Sequence, residues 1–123
     1  MCWVALDRGC ALAEQLAASE RVAAWRSEAG RIRAAILTDG WRESAGAFGQ
    51  SFGSDALDAS ALMVPIVGLL PASDRRVAST VDPIAERLTD ERGFVYRYCG
   101  EDGLSSEEGT FTMCTIGWPS AVR

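Results

Sequence analysis

The feature that most constrains this chain is a pattern it contains twice. The segment FGQSF at 48–52 leads through a short loop to Asp58 and then to the apolar stretch 59–63. About fifty residues on, Tyr96, Arg97 and Tyr98 lead through the polar loop GEDGLSSEE to Glu108 and the apolar stretch GTFTMCTI. Each copy is an aromatic arm, a loop, an acid and an apolar helix. A period of this length marks stacked supersecondary units that bury their apolar faces against one another.

The segments between the arms read as helices. Trp3, Leu6, Cys10, Ala13 and Ala17 recur at steps of three and four, which predicts a helix over 2–17. Ser19 is a candidate N-cap for a helix over 20–38. Val22, Trp25, Ile32, Ile36 and Leu37 form its apolar stripe, Arg21, Arg26, Glu28, Arg31 and Arg33 its wet face, and Gly40 its stop signal. Residues 59–70 are apolar almost all round, so a helix there must be buried on most sides, with Pro65 as a kink. Residues 74–88 form an amphipathic return helix with Val77, Val81, Ile84, Ala85 and Leu88 inward, despite Pro83. Between Trp41 and Leu57 the glycines 46, 49 and 53 mark a loop, and the alternation of Phe48, Gln50 and Phe52 a short extended arm. The fold class is therefore all-α, with about five helices in inner and outer layers. Periodicity alone leaves an open solenoid and a closed toroid both standing.

The residue inventory removes several chemistries. There is no histidine, so Ser-His-Asp and Cys-His catalysis and His-bearing metal sites are excluded within this chain. Cys2, Cys10, Cys99 and Cys114 have no zinc-motif spacing and read as buried free thiols, which fits a reducing cytoplasm; no cofactor or metal is expected. A net charge of −5 argues against nucleic acid and against anionic membrane. The longest apolar run, within 59–72, is broken by Pro65 and Gly68 and is too short to span a bilayer; the N-terminus, with Asp7 and Arg8 mid-stretch, is a poor signal peptide.

Carboxylates, arginines and aromatics remain. Arms and acids all precede the apolar helices and would gather at one end, where flat rings can stack on sugar faces and charged groups can fix hydroxyls. Glu107 and Glu108 read either as acids in the first turn of a capped helix or as a glycosidase carboxylate held ionised by the helix dipole. Asp55 and Asp58 stand before the earlier apolar helix, Asp58 as a plain N-cap or a sugar-contacting acid. Trp41, Phe48, Phe52, Tyr96 and Tyr98 either stack on sugar or pack on neighbouring helices. Arg97 faces away from its two tyrosines in an extended arm and can pair with an acid or meet a hydroxyl.

In order, CWVALDRG, WRSEAGRIRAAIL, FGQSFGSDALDASALMVPIVGLLP, GFVYRY and DGLSSEEGTFTMCT resemble the C-terminal catalytic region of glycoside hydrolase family 15, in its bacterial glucoamylase/trehalase-like branch. The resemblance spans residues 1 to about 115. It implies part of an (α/α)6 toroid and an inverting hydrolysis of terminal α-glucosyl units. Glu108 takes the place of the family's general base, with Glu107 the alternative. Asp58 matches a recurrent rim position, and Tyr96, Arg97 and Tyr98 are the other candidate substrate contacts.

Two departures set further expectations. Family members carry several hundred residues before the position of Met1, including the general acid, and Gly117 and Pro119 interrupt the final apolar helix. The expectation is a truncated or frameshifted reading frame, incomplete at both ends and inactive alone. Its partners would be a small α-glucoside and a separately supplied N-terminal half. The rival reading is a non-catalytic helical-repeat interaction module, favoured if Tyr96, Tyr98 and Glu108 do not converge on one concave face.

Overall fold

The computed structural model describes residues 1–99, and they form two compact units that divide between Asp39 and Gly40. The first is a helical hairpin. Helix α1 (Cys2–Gln15) is followed by a 3-10 turn (Ser19–Arg21) and helix α2 (Val22–Asp39). Cys10 and Ala13 of α1 and Val22 of α2 form the buried seam, with Trp25 packed against it. The five polar residues expected on the wet face of α2 are all exposed, and Ile32, Ile36 and Leu37 are half-buried.

The end of α1 departs from expectation, stopping at Gln15 rather than reaching residue 17. The N–H of Ala18 donates to the carbonyl of Ala13 (2.8 Å) and that of Ala17 to Glu14 (3.3 Å). This is a Schellman closure, which requires a left-handed residue just past the helix. Ala17 takes that place with φ +53° and is exposed.

The second unit begins with a hairpin of strands β1 (Trp41–Arg42) and β2 (Ala47–Phe48), antiparallel with Trp41 opposite Phe48 and Arg42 opposite Ala47. The extended arm therefore lies earlier than the alternation of 48, 50 and 52 implied. Past Phe48 the chain folds back: Gly49 bridges Leu57, and the N–H of Gln50 donates to the carbonyl of Ala56 at 2.7 Å. A Cβ on Gly49 would stand 2.3 Å from the Ser54 carbonyl oxygen, so only glycine fits there.

The long apolar helix expected over 59–70 is instead a 3-10 turn (Ala59–Leu62) followed by one α-turn, α3 (Met63–Ile66). Pro65 brings no N–H to continue the ladder. Gly68, at φ +82°, then closes the turn: Leu69 donates to Val64 (3.1 Å) and Gly68 to Pro65 (3.2 Å), the same Schellman pair as after α1. Nor is the segment buried on most sides. Leu62, Leu69 and Leu70 are buried, but Ile66 is 51% exposed.

Helix α4 (Arg75–Leu88) has the strongest amphipathic pattern and comes out as expected. Asp74 caps it, accepting from the Arg76 N–H at 2.9 Å. Val77, Val81, Ile84 and Leu88 are buried, and Ala85 is half-buried. The core of this unit joins Val81, Ile84 and Leu88 to Ala47, Leu57, Ala59, Leu62 and Val95. Thr80, 2% exposed, ties hairpin to helix: its Oγ1 accepts from the Phe48 N–H (3.2 Å) and donates to the Arg76 carbonyl (2.6 Å). The described residues are thus mainly helical with one small hairpin, and no described helix is long and apolar enough to cross a membrane. The helix expected to open near Glu108 lies outside the described residues.

Candidate functional site

The second aromatic arm is where the sequence candidates meet. After α4 the chain turns at Asp90, whose carboxylate accepts from the Phe94 N–H (2.8 Å) and from the Arg92 N–H (2.9 Å). The bond from Phe94, with the Arg92 contacts, holds the Asp90 carboxyl below its usual range. The turn sends residues 95–97 back across the end of α4 and the start of the 3-10 turn. Val95 is wholly buried and bridges Thr89, the N–H of Tyr96 donates to the Leu88 carbonyl (2.7 Å), and the Arg97 carbonyl accepts from the Ala59 N–H (2.7 Å).

That last bond puts Arg97 beside Asp58. The Asp58 Oδ1 accepts from the Ser60 N–H at 2.7 Å, capping the 3-10 turn, while Oδ2 lies 3.7 Å from the Arg97 Nε. Asp58 is therefore both the N-cap and an ion-pair partner. The Asp58 side chain is 10% exposed and the Arg97 side chain 57%. The Arg97 Cζ also sits 5.8 Å from the centre of the half-buried Tyr98 ring. The pairing of Arg97 with an acid was legible as a possibility; its partner was not, because the two residues lie far apart in sequence and meet through one backbone bond. Asp58, Arg97 and Tyr98 converge, and Tyr96 lies in the same arm, half-buried.

Of the other candidates, Phe48 and Asp55 take structural places. Phe48 is 4% exposed and meets Trp41 edge to face, centroids 5.3 Å apart, so it packs rather than faces a ligand. Phe52 is 59% exposed on the loop after β2. Asp55 closes that loop onto the hairpin through the Arg42 Nε (2.7 Å) and the Ser44 Oγ (2.8 Å), bonds that lower its pKa. The cysteines correct the expectation in part: Cys2, Cys10 and Cys99 are free, but only Cys10 is buried while Cys2 and Cys99 are exposed. Glu107, Glu108 and Cys114 lie outside the described residues. In the first unit a cleft of about 230 Å³ is lined by Asp7, Cys10, Ala11, Glu14, Arg26 and Ala29; Glu14 and Arg26 pair with each other there. Among the described residues no group of three or more Cys, Asp or Glu side chains could hold a metal ion.

Against known proteins, the profile of the family described as Glycosyl hydrolases family 15 matches residues 1–118. The chain belongs to glycoside hydrolase family 15. Its curated relatives include a trehalase of Mycobacterium tuberculosis, 48% identical over 99% of this chain, and a trehalase of Mycolicibacterium smegmatis, 46% identical over the same share. A trehalase of Thermoplasma volcanium is 33% identical over 94% of the chain. The chain spans 18% of the length of each mycobacterial protein and 19% of the archaeal one. No solved structure matches it. The helix-rich architecture of the described residues is the kind that this family's all-α fold implies.

Proposed function

We propose that this chain carries the general base and part of the sugar-contacting rim of an inverting α-glucoside hydrolase whose substrate is trehalose. The observation behind this reading is the similarity, along nearly the whole chain, to proteins named trehalase at 48% and 46% identity. In the proposed chemistry Glu108 takes the proton from a water as the water attacks the anomeric carbon, with Glu107 the alternative base. A carboxylic acid outside this chain protonates the leaving oxygen from the opposite side. Inverting pairs stand about 6.5–9.5 Å apart, which leaves room for that water. Asp58, Tyr96, Arg97 and Tyr98 belong to the rim that holds the sugar.

With 18% of its relatives' length, the chain holds one part of such a site. It is a C-terminal portion of the catalytic domain, inactive alone, and its protein partner is the remainder of that domain. Losing the proton donor alone lowers the rate by about 10²–10⁴-fold. Free, partly exposed thiols support a reducing compartment, the cytoplasm. The test is to exchange this chain for the matched segment of the Mycobacterium tuberculosis trehalase and to follow glucose release from trehalose and from maltose. The expected result is hydrolysis of trehalose in preference to maltose by the chimera, and none by the isolated chain. A chimera that prefers maltose would reassign the substrate. Turnover by the isolated chain would show that the proton donor lies within it.

A further inference from the structure

We infer that Asp90 is a positioning residue of the hydrolase: its carboxylate sets the register of the arm that carries Tyr96, Arg97 and Tyr98, and it does so without touching the substrate; this rests on the hydrolase reading above. Between Leu88 and Val95 the chain must reverse at the end of α4. The backbone closes this turn in part. Thr89 bridges Val95, the Asp90 N–H donates to the Phe94 carbonyl (2.9 Å) and the Gly93 N–H to the Asp90 carbonyl (2.9 Å), with Gly93 at φ +83°. The N–H groups of Arg92 and Phe94 both end on the Asp90 Oδ1, at 2.9 and 2.8 Å. The Asp90 Oδ2 takes the Arg92 fork, with Nε at 3.1 Å and Nη2 at 3.0 Å. Each carboxylate oxygen thus receives two donors, which fills its acceptor sites. The side chain is also only 11% exposed, so none of it is left for a sugar hydroxyl.

The two halves of the carboxylate do different things. Arg92 is 74% exposed, and an ion pair with a solvated guanidinium contributes little. The two amide bonds fix how many residues the turn holds before the arm begins. That number matters because side chains along an extended arm alternate between faces, and a slip of one residue exchanges them. In the observed register Val95 is wholly buried, Tyr96 and Tyr98 are half-buried and Arg97 is exposed. A slip would carry Tyr96 into the closed position of Val95 and exchange the places of Arg97 and the tyrosines. Past the turn, the Tyr96 N–H donates to the Leu88 carbonyl and the Arg97 carbonyl accepts from the Ala59 N–H. Backbone groups are alike in neighbouring residues, so such bonds do not by themselves choose a register. Val95 makes the choice by its burial, and Asp90 by the two amides it collects. An asparagine at 90 would keep Oδ1 for those amides but set its NH2 against the Arg92 fork.

The chain's two tyrosines both lie in this arm, so fluorine NMR of the fluorotyrosine-labelled full chain reports on the arm alone. Asp90→Ala is expected to move both lines while helical circular dichroism is kept. Asp90→Asn should move them less, and Arg92→Gln, which keeps both amide bonds, should leave them in place. In the trehalase chimera, Asp90→Ala should raise KM for trehalose about tenfold and leave kcat within about threefold of the parent, the signature of a lost contact made equally to bound substrate and transition state. Asp90→Asn should recover most of that loss, and Arg92→Gln should match the parent. If Asp90→Ala does not fold, Asp90→Asn decides: it should fold, move the lines and raise KM by about two- to threefold. Unmoved lines, moved lines with a parental KM, a fall in kcat alone, or an Arg92→Gln loss as large as that of Asp90→Ala would each overturn the inference. A parent chimera without turnover would overturn the hydrolase reading itself, and this inference with it, so the two failures are told apart.

Discussion

At the scale of single residues, polar side chains hold this chain together at places its apolar pattern does not mark. The Thr80 Oγ1 is the acceptor for the buried Phe48 N–H and so ties the hairpin to α4. Thr80→Val keeps the shape but leaves that donor without a partner. Stability should fall by about 1–3 kcal/mol in urea unfolding; an unchanged midpoint would mean that the bond is not made in solution. Asp90 carries a pH dependence. Its carboxyl is held below the ordinary value of 3.8 chiefly by the Phe94 N–H, so the folded chain binds fewer protons than the unfolded one as the pH falls. That contribution is complete above the unfolded value and is lost as the pH drops through the folded one. Asp90→Asn should therefore flatten the acid side of the stability profile, and a profile identical to the parent's would contradict the assignment. Nothing in the sequence marks Asp90, since the two amides it collects are fixed only once the arm has folded back.

At the scale of elements, legibility followed the strength of the local signal. The stripe of α4 and the wet face of α2 are visible in the sequence because arginines and acids alternate with aliphatic residues at helical spacing. The segment 59–70 misled because an unbroken apolar run has no phase: Pro65 and Gly68 decide its shape, and they divide it into a 3-10 turn, one α-turn and a Schellman closure. Leu12 and Leu16, both exposed, lie outside the stripe read for α1, but the helix end was missed because an alanine occupies a position where glycine is the usual occupant. Ala17→Gly should remove that left-handed strain. Part of the gain is offset by the freer unfolded chain, for a net stabilisation of about 0.5–1 kcal/mol. A destabilised variant would place the end of α1 elsewhere. The hairpin was displaced in the reading because Phe48 belongs to it, while Gln50 and Phe52 belong to the loop beyond.

At the scale of the whole molecule, the chain is a part-length member of family 15, and its mycobacterial relatives named trehalase are more than five times as long. The family was legible because five motifs stand in order across most of the chain. The candidate site was legible only as types of residue: the sequence offered arginine, tyrosines and acids on one rim, and the folded arm joined Asp58 to Arg97 and Tyr98. Glu108 is the proposed base. Its most direct test is kcat for trehalose in the chimera carrying Glu108→Gln, beside the unaltered chimera and Glu107→Gln. The expected result is a fall of about 10²–10⁴-fold for Glu108→Gln and a change of no more than a few-fold for Glu107→Gln. Parental turnover by the Glu108→Gln chimera would contradict it.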